Sequence, residues 1–232
     1  MMQAVDRGLS WSWRVGLTVM LIMGILVPPL LLQLINELTA NGASWWWRAA
    51  VTVAYFGVFW VVSYLAYRIY RHYAGFWRWP KLTKHDVYVV IGGYLLIIGC
   101  ESIFQLCNQL LYQQNETQNN VAIEALMSGS TLALWLQAIS AIFLTPIMEE
   151  LVFRGVLTTL FWRQNWLKVL LSGLVFGSLH TTNTIPSFLI YFTMGLVLAG
   201  VYLWTGKLQT SIGLHFLINL GAMSLILLTE WS

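Results

Sequence analysis

The sequence predicts an all-α fold, a polytopic membrane helical bundle of about seven transmembrane helices with a cytoplasmic N-terminus. Three observations carry this reading. Of 232 residues, 58% are hydrophobic and 9% charged, with a mean hydropathy of +0.70; a soluble domain carries about 25% charged residues. Several apolar runs reach the roughly 20 residues needed to cross a bilayer. Basic residues gather between these runs, as in membrane proteins generally.

Spans are expected at 14–35, 46–67, 87–108, 130–162, 167–182, 184–205 and 207–229. The first run, GLTVMLIMGILVPPLLLQLI, is too long for a signal-peptide core and lacks a small-residue cleavage site, so it reads as a retained helix kinked near Pro28 and Pro29. Between the second and third spans lie Arg68, Arg71, Arg78, Lys81 and Lys84, whereas the next connection, up to Ser130, holds no lysine or arginine. That asymmetry assigns the basic connection to the cytoplasm. By alternation, all of the 12 lysines and arginines except Arg48 fall on that side. Trp77, Trp79, Trp162, Trp166 and Trp204 would mark the inner interface, and Trp45, Trp46, Trp47 and Trp231 the outer one. Cys100 and Cys107 would stand about 10 Å apart along one helix, too far for a disulfide. The net charge of +3 is mild, and its placement fits contact with membrane lipids rather than nucleic acid. There is no internal repeat. Residues 1–125 form N-terminal membrane helices without a chemistry-bearing motif, and residues 126–232 hold the polar constellations.

Moving a charged side chain to the bilayer centre costs about 2.5–3.5 kcal/mol on insertion scales. Three stretches of the later half carry such groups nonetheless: EELVFR with Glu149, Glu150 and Arg154, FGSLH with Phe176 and His180, and HFLIN with His215 and Asn219. Each contains an i, i+4 pair, which stacks on one helical face. Glu150 and Arg154 can therefore pair along their helix, while Glu149, rotated by about 100°, is left to face something else. Counted from the basic helix ends, Glu149, His180, His215 and Asn219 lie roughly 12–21 Å deep. Four polar groups from three helices at similar depth predict one buried site. Glu101 sits deep in the third span with Ser102 and Gln105 nearby and belongs to no motif; it reads as a cavity-lining group or as a protonated structural carboxyl.

Glu-Glu-x-x-x-Arg, Phe-x-x-x-His and His-x-x-x-Asn, in that order on successive membrane helices, resemble the CPBP family of intramembrane proteases, which comprises the CAAX prenyl endopeptidases and the bacterial Abi proteins of bacteriocin processing and self-immunity. The resemblance covers roughly residues 130–225. It implies an intramembrane endopeptidase, opening to the cytoplasmic side, in a bacterial cell membrane, with a peptide or membrane protein as substrate. By the same resemblance, Glu149 and His180 activate the attacking water, His215 and Asn219 hold the oxyanion or that water, Glu150 and Arg154 brace the site, and Phe176 supports it. Glu149, His180 and His215 could also form a zinc site with an open fourth position. A metal-independent glutamate mechanism is equally compatible, since no His-Glu-x-x-His helix is present. Two other functions use the same residues. One is a non-proteolytic immunity protein that binds a peptide partner. The other is a proton-coupled transporter, against which stand the odd span count and the absence of paired halves.

Overall fold

The computed structural model describes residues 2–74, 80–161, 163–180 and 182–230, with side chains from residue 10 to residue 228. Within these residues the chain is helical, without strands. The helices are α1 (Met2–Ile25), α2 (Val27–Ala40), α3 (Trp45–Ala74), α4 (Lys84–Tyr112), α5 (Gln118–Ser128), α6 (Thr131–Leu160), α7 (Asn165–Leu179), α8 (Ile185–Thr205) and α9 (Leu208–Glu230). Among the described residues six segments are long and apolar enough to cross a membrane: Ser10–Ala40, which joins α1 and α2, then α3, α4, α6, α8 and most of α9. The chain is thus an all-α, multi-pass membrane bundle, as its hydropathy requires. The expectations placed on Trp77, Arg78, Trp79, Trp162 and Trp231, and on the side chain of Arg7, lie outside the described residues.

The expected kink in the first span is a break at Leu26, after which Pro28 and Pro29 open α2. Neither proline has an N–H to continue the ladder of α1. The basic connection is fastened to the far end of the chain at the start of α4. Thr83 and Asp86 form a capping box there, and Lys207 Nζ lies 2.5 Å from Asp86 Oδ2. Lys207 follows Gly206, whose φ of +66° ends α8 in the left-handed conformation that glycine adopts without steric cost.

Two expected boundaries need correction. The span expected at 167–182 is the 15-residue helix α7, which stops at Leu179. His180 has extended backbone (φ −88°, ψ 137°), because the chain turns there to begin α8. Thr184 sets that start: its Oγ1 accepts from Ser187 N (3.2 Å) and donates to Asn108 Oδ1 (2.6 Å). The connection between α4 and α6, which holds no lysine or arginine, is not all loop, since it contains α5, capped by Thr117 and held to α2 by Asn36 Nδ2 donating to Leu126 O (2.8 Å).

α6 is not regular. It is π-helical over Ser140–Leu144 and Leu151–Leu157, with one α-helical stretch, Thr145–Glu150, between them. Pro146 lies in the first turn of that middle stretch and removes one donor from the ladder. A π turn rotates all later side chains relative to an ideal helix. The displaced polar groups find partners on neighbouring helices. Ser140 Oγ lies 2.5 Å from Tyr55 Oη on α3, and Asn219 Nδ2 of α9 donates to Ala141 O (2.8 Å).

α7 and α8 approach most closely through small residues. A β-carbon added at Gly195 would stand 2.9 Å from both Gly173 Cα and Phe176 Cβ. Helices in a bilayer associate by such backbone proximity rather than by hydrophobic burial. Gly195→Ala is therefore expected to destabilise the fold by about 1–3 kcal/mol through overpacking, lowering Tm by roughly 2–12 °C. Thermal unfolding of the purified protein in detergent checks this.

Candidate active site

The middle of α6 places Glu149 and Glu150 on different neighbours. Glu150 is fully buried, and its Oε1 accepts from Arg154 Nη1 at 2.7 Å. This is the i, i+4 pair read from the sequence. The same Oε1 lies 2.8 Å from His215 Nδ1 on α9, a contact between residues 65 apart that spacing alone could not reveal. Since a carboxylate only accepts, His215 carries its proton on Nδ1 towards Glu150 and turns Nε2 to the other side. Arg154 is also fully buried. Its Nη2 donates to Gly195 O on α8 at 3.3 Å, and its guanidinium lies 4.6 Å from the centre of the Phe176 ring. Thr158 Oγ1 donates to Arg154 O one turn further on. A buried ion pair needs this many partners, because desolvation otherwise outweighs its Coulomb attraction.

Glu149 faces His215 from the opposite direction. Its Oε2 stands 4.0 Å from His215 Nε2, too far for a direct hydrogen bond. That oxygen is buried and makes no hydrogen bond with any described residue.

His180 reaches the site from just beyond the end of α7. Its Nδ1 lies 2.7 Å from Phe176 O. A carbonyl can only accept, so the proton is on Nδ1 and Nε2 is free to take one. The imidazole stacks on Tyr191 of α8 (4.3 Å between centres, 11° between planes) and lies 4.5 Å from the Phe176 ring, which in turn meets the His215 ring edge-on at 5.8 Å. Among the described residues no ion pair joins His180 to either glutamate. The two histidines communicate through the ring of Phe176.

Glu149, His180, His215 and Asn219 all line one cavity of about 550 Å³. Glu150 and Arg154 stand behind its wall, and Phe176 is fully buried beside them. Glu101 lines the cavity too, so the cavity-lining reading of that residue holds. Tyr55, Ser140 and Tyr191 also belong to the lining. None of these three drew attention as a sequence, because a tyrosine or serine in an apolar run is unremarkable until its partner is known. Tyr191 is fixed by Thr117 Oγ1, 2.8 Å from its hydroxyl, which ties α5 to the histidine it stacks on. The cavity runs from mid-depth towards α5 and the turn before α8. None of the described residues in 80–83, 161, 163–164 or 206–207 lines it.

Among the described residues no group of three His, Cys, Asp or Glu side chains converges as a ligand set. Glu149 Oε2 and His215 Nε2 face each other, and His180, its Nδ1 committed to Phe176 O, keeps Nε2 available; these three are the groups that would hold a metal.

Residues 131–221 match the family model described as type II CAAX prenyl endopeptidase Rce1-like. That stretch of the chain is Rce1-like. The resemblance drawn from the three motifs is borne out, and the Rce1-like segment runs from α6 into α9, carrying Glu149, Glu150, Arg154, Phe176, His180, His215 and Asn219. Two curated relatives are similar at lower identity, both from Lactococcus lactis subsp. lactis (strain IL1403). UPF0177 protein YvdC is 27% identical over 61% of this chain and 53% of its own length. UPF0177 protein YbdI is 27% identical over 70% of this chain and 87% of its own length. The chain thus spans about half of the first relative and most of the second. No solved structure matches the chain.

Removing one partner of the buried pair should be far more damaging than removing both. Arg154→Leu leaves Glu150 buried without its counter-charge and is expected to cost about 3–5 kcal/mol. The double variant Arg154→Leu/Glu150→Leu is expected to recover part of that loss. Thermal unfolding of both variants in one detergent checks the order, and a double variant less stable than Arg154→Leu would refute it.

Proposed function

We propose that this protein is an intramembrane endopeptidase that hydrolyses a peptide bond of a membrane-associated protein or peptide, with Glu149 as general base. The observation that carries this reading is the buried Glu149 Oε2, free of any hydrogen bond and facing His215 Nε2 at 4.0 Å across the wall of the cavity. Glu150 Oε2 and Arg154 Nε are likewise buried without a hydrogen-bond partner, but Glu150 and Arg154 do not line the cavity; Glu149 Oε2 is the unpaired carboxylate oxygen on a residue that does. The Rce1-like match supports the same reaction class.

In this mechanism a water in the cavity gives a proton to Glu149 as its oxygen bonds to the scissile carbonyl carbon. His180 Nε2 is the second acceptor on the cavity wall and holds the water's other hydrogen. Negative charge then develops on the carbonyl oxygen and needs donors already in place. Asn219 supplies one: a side-chain amide has two N–H groups, and only one is used on Ala141 O. His215 supplies the other from Nε2 in its charged form, with Glu150 stabilising that charge at Nδ1. The C–N bond breaks as Glu149 returns its proton to the leaving nitrogen. Glu150 and Arg154 do not touch the reacting atoms in this scheme; they fix where His215 points.

The basic connection is assigned to the cytoplasm because it carries five lysines and arginines in the sequence whereas the next connection carries none. On that orientation the cavity faces the outer half of a bacterial cell membrane, and the substrate enters from there.

Replacing Glu149 by Gln is expected to abolish cleavage while leaving insertion and Tm within about 2 °C. Comparing all protein N-termini in cells carrying the wild type or this variant would identify the substrate at the same time. Identical sets of termini, with the variant normally inserted, would refute the endopeptidase reading. Cleavage by the purified wild type is expected to stay within about twofold after chelator treatment. A loss restored by added zinc would return Glu149, His180 and His215 to the role of ligands.

A further inference from the structure

The mechanism leaves one acidic side chain in the cavity wall unused. Glu101, in α4, lines the same cavity as Glu149, yet it comes from outside the Rce1-like segment. Its two polar neighbours along the helix are committed elsewhere. Ser102 Oγ donates to Ile98 O (2.7 Å), and Gln105 Nε2 donates to Gln114 O (3.3 Å) and Asn115 O (2.5 Å), closing the end of α4. Glu101 itself makes no hydrogen bond or ion pair with any described residue, and among the described residues no lysine or arginine lines the cavity. The same cavity is lined by the amides of Asn119, Asn120 and Gln137, while most of the remaining lining is apolar.

We infer that Glu101 forms a subsite for a cationic group of the substrate, a lysine or arginine side chain carried within an otherwise apolar peptide segment. Glu101 is half-buried, and a carboxylate set in a mostly apolar wall attracts a cation more strongly than one in water. It also rejects a neutral or acidic side chain at the same register, so it confers specificity as well as affinity. The surrounding amides offer carbonyl oxygens to the remaining protons of an ammonium or guanidinium group, and the apolar lining accepts the rest of the segment. The inference rests on the endopeptidase reading for its reaction, but its binding step can be tested without hydrolysis.

The test uses the full chain carrying Glu149→Gln, in detergent micelles, and fluorescein-labelled synthetic peptides of about 20 apolar residues that differ only in a Lys, Gln or Glu placed at each position in turn. Fluorescence anisotropy reads Kd. At one register the lysine peptide is expected to bind about tenfold tighter than the glutamine peptide. Adding Glu101→Gln is expected to remove that difference with Tm unchanged, and Glu101→Lys to transfer the preference to the glutamate peptide. A lysine preference that survives Glu101→Gln, or no preference at any register, overturns the subsite. Cleavage of the same peptides by the wild type separates the two readings. An intact lysine preference without hydrolysis upholds the subsite and sinks the endopeptidase reading, whereas hydrolysis indifferent to residue 101 sinks the subsite alone.

Discussion

Everything in the polar centre of this bundle hangs on one oxygen. Glu150 Oε1 accepts from Arg154 on its own helix and from His215 on α9 at nearly equal distances, 2.7 and 2.8 Å. The first contact makes burial of the carboxylate tolerable, and the second converts that buried charge into an orienting device for an imidazole. Arg154 extends the chain of contacts to the backbone of α8 and to the face of Phe176. Three helices are thereby fixed around a charge that would otherwise be expelled from the bilayer. Glu149, one residue away, is then held in a rigid wall with nothing bound to its outer oxygen.

The irregularity of α6 serves the same arrangement. Two π-helical stretches bracket the glutamates, and the first is met by two neighbours: Tyr55 at Ser140, and Asn219 at Ala141. A regular helix would present a different face to α9 and leave Asn219 without that carbonyl. The glycine contacts between α7 and α8 work in parallel, bringing Phe176 and Tyr191 near enough to sandwich His180. Precision at the centre therefore comes from departures from ideal helix geometry.

The sequence revealed the membrane class and the candidate residues because both depend on local properties. Hydropathy over some 20 residues marks a span, and an i, i+4 spacing marks the Glu150–Arg154 pair whatever surrounds it. It could not reveal the His215–Glu150 contact, which depends on how α6 is rotated, and rotation is set by π turns that no propensity encodes. The end of α7 was misplaced for a related reason. Apolar composition continues up to Leu179, and what stops the helix is the demand of Thr184 and Asn108 for one another across the bundle. Tyr191 was missed because its importance lies wholly in what it stacks against. Glu101 was noticed as an anomaly, but its surroundings became visible only when α4 was packed beside α8 and α9.

α7 has a consequence for the lipid around it. Its 15 residues rise only about 22 Å, against a hydrocarbon thickness of about 30 Å. Neighbouring acyl chains must shorten to match it, or the polar turn containing Asn183 and Thr184 must lie beneath the headgroups. Local thinning would bring the water boundary nearer to His180, at the end of α7, and shorten the path by which a hydrolytic enzyme draws its second reactant from solution.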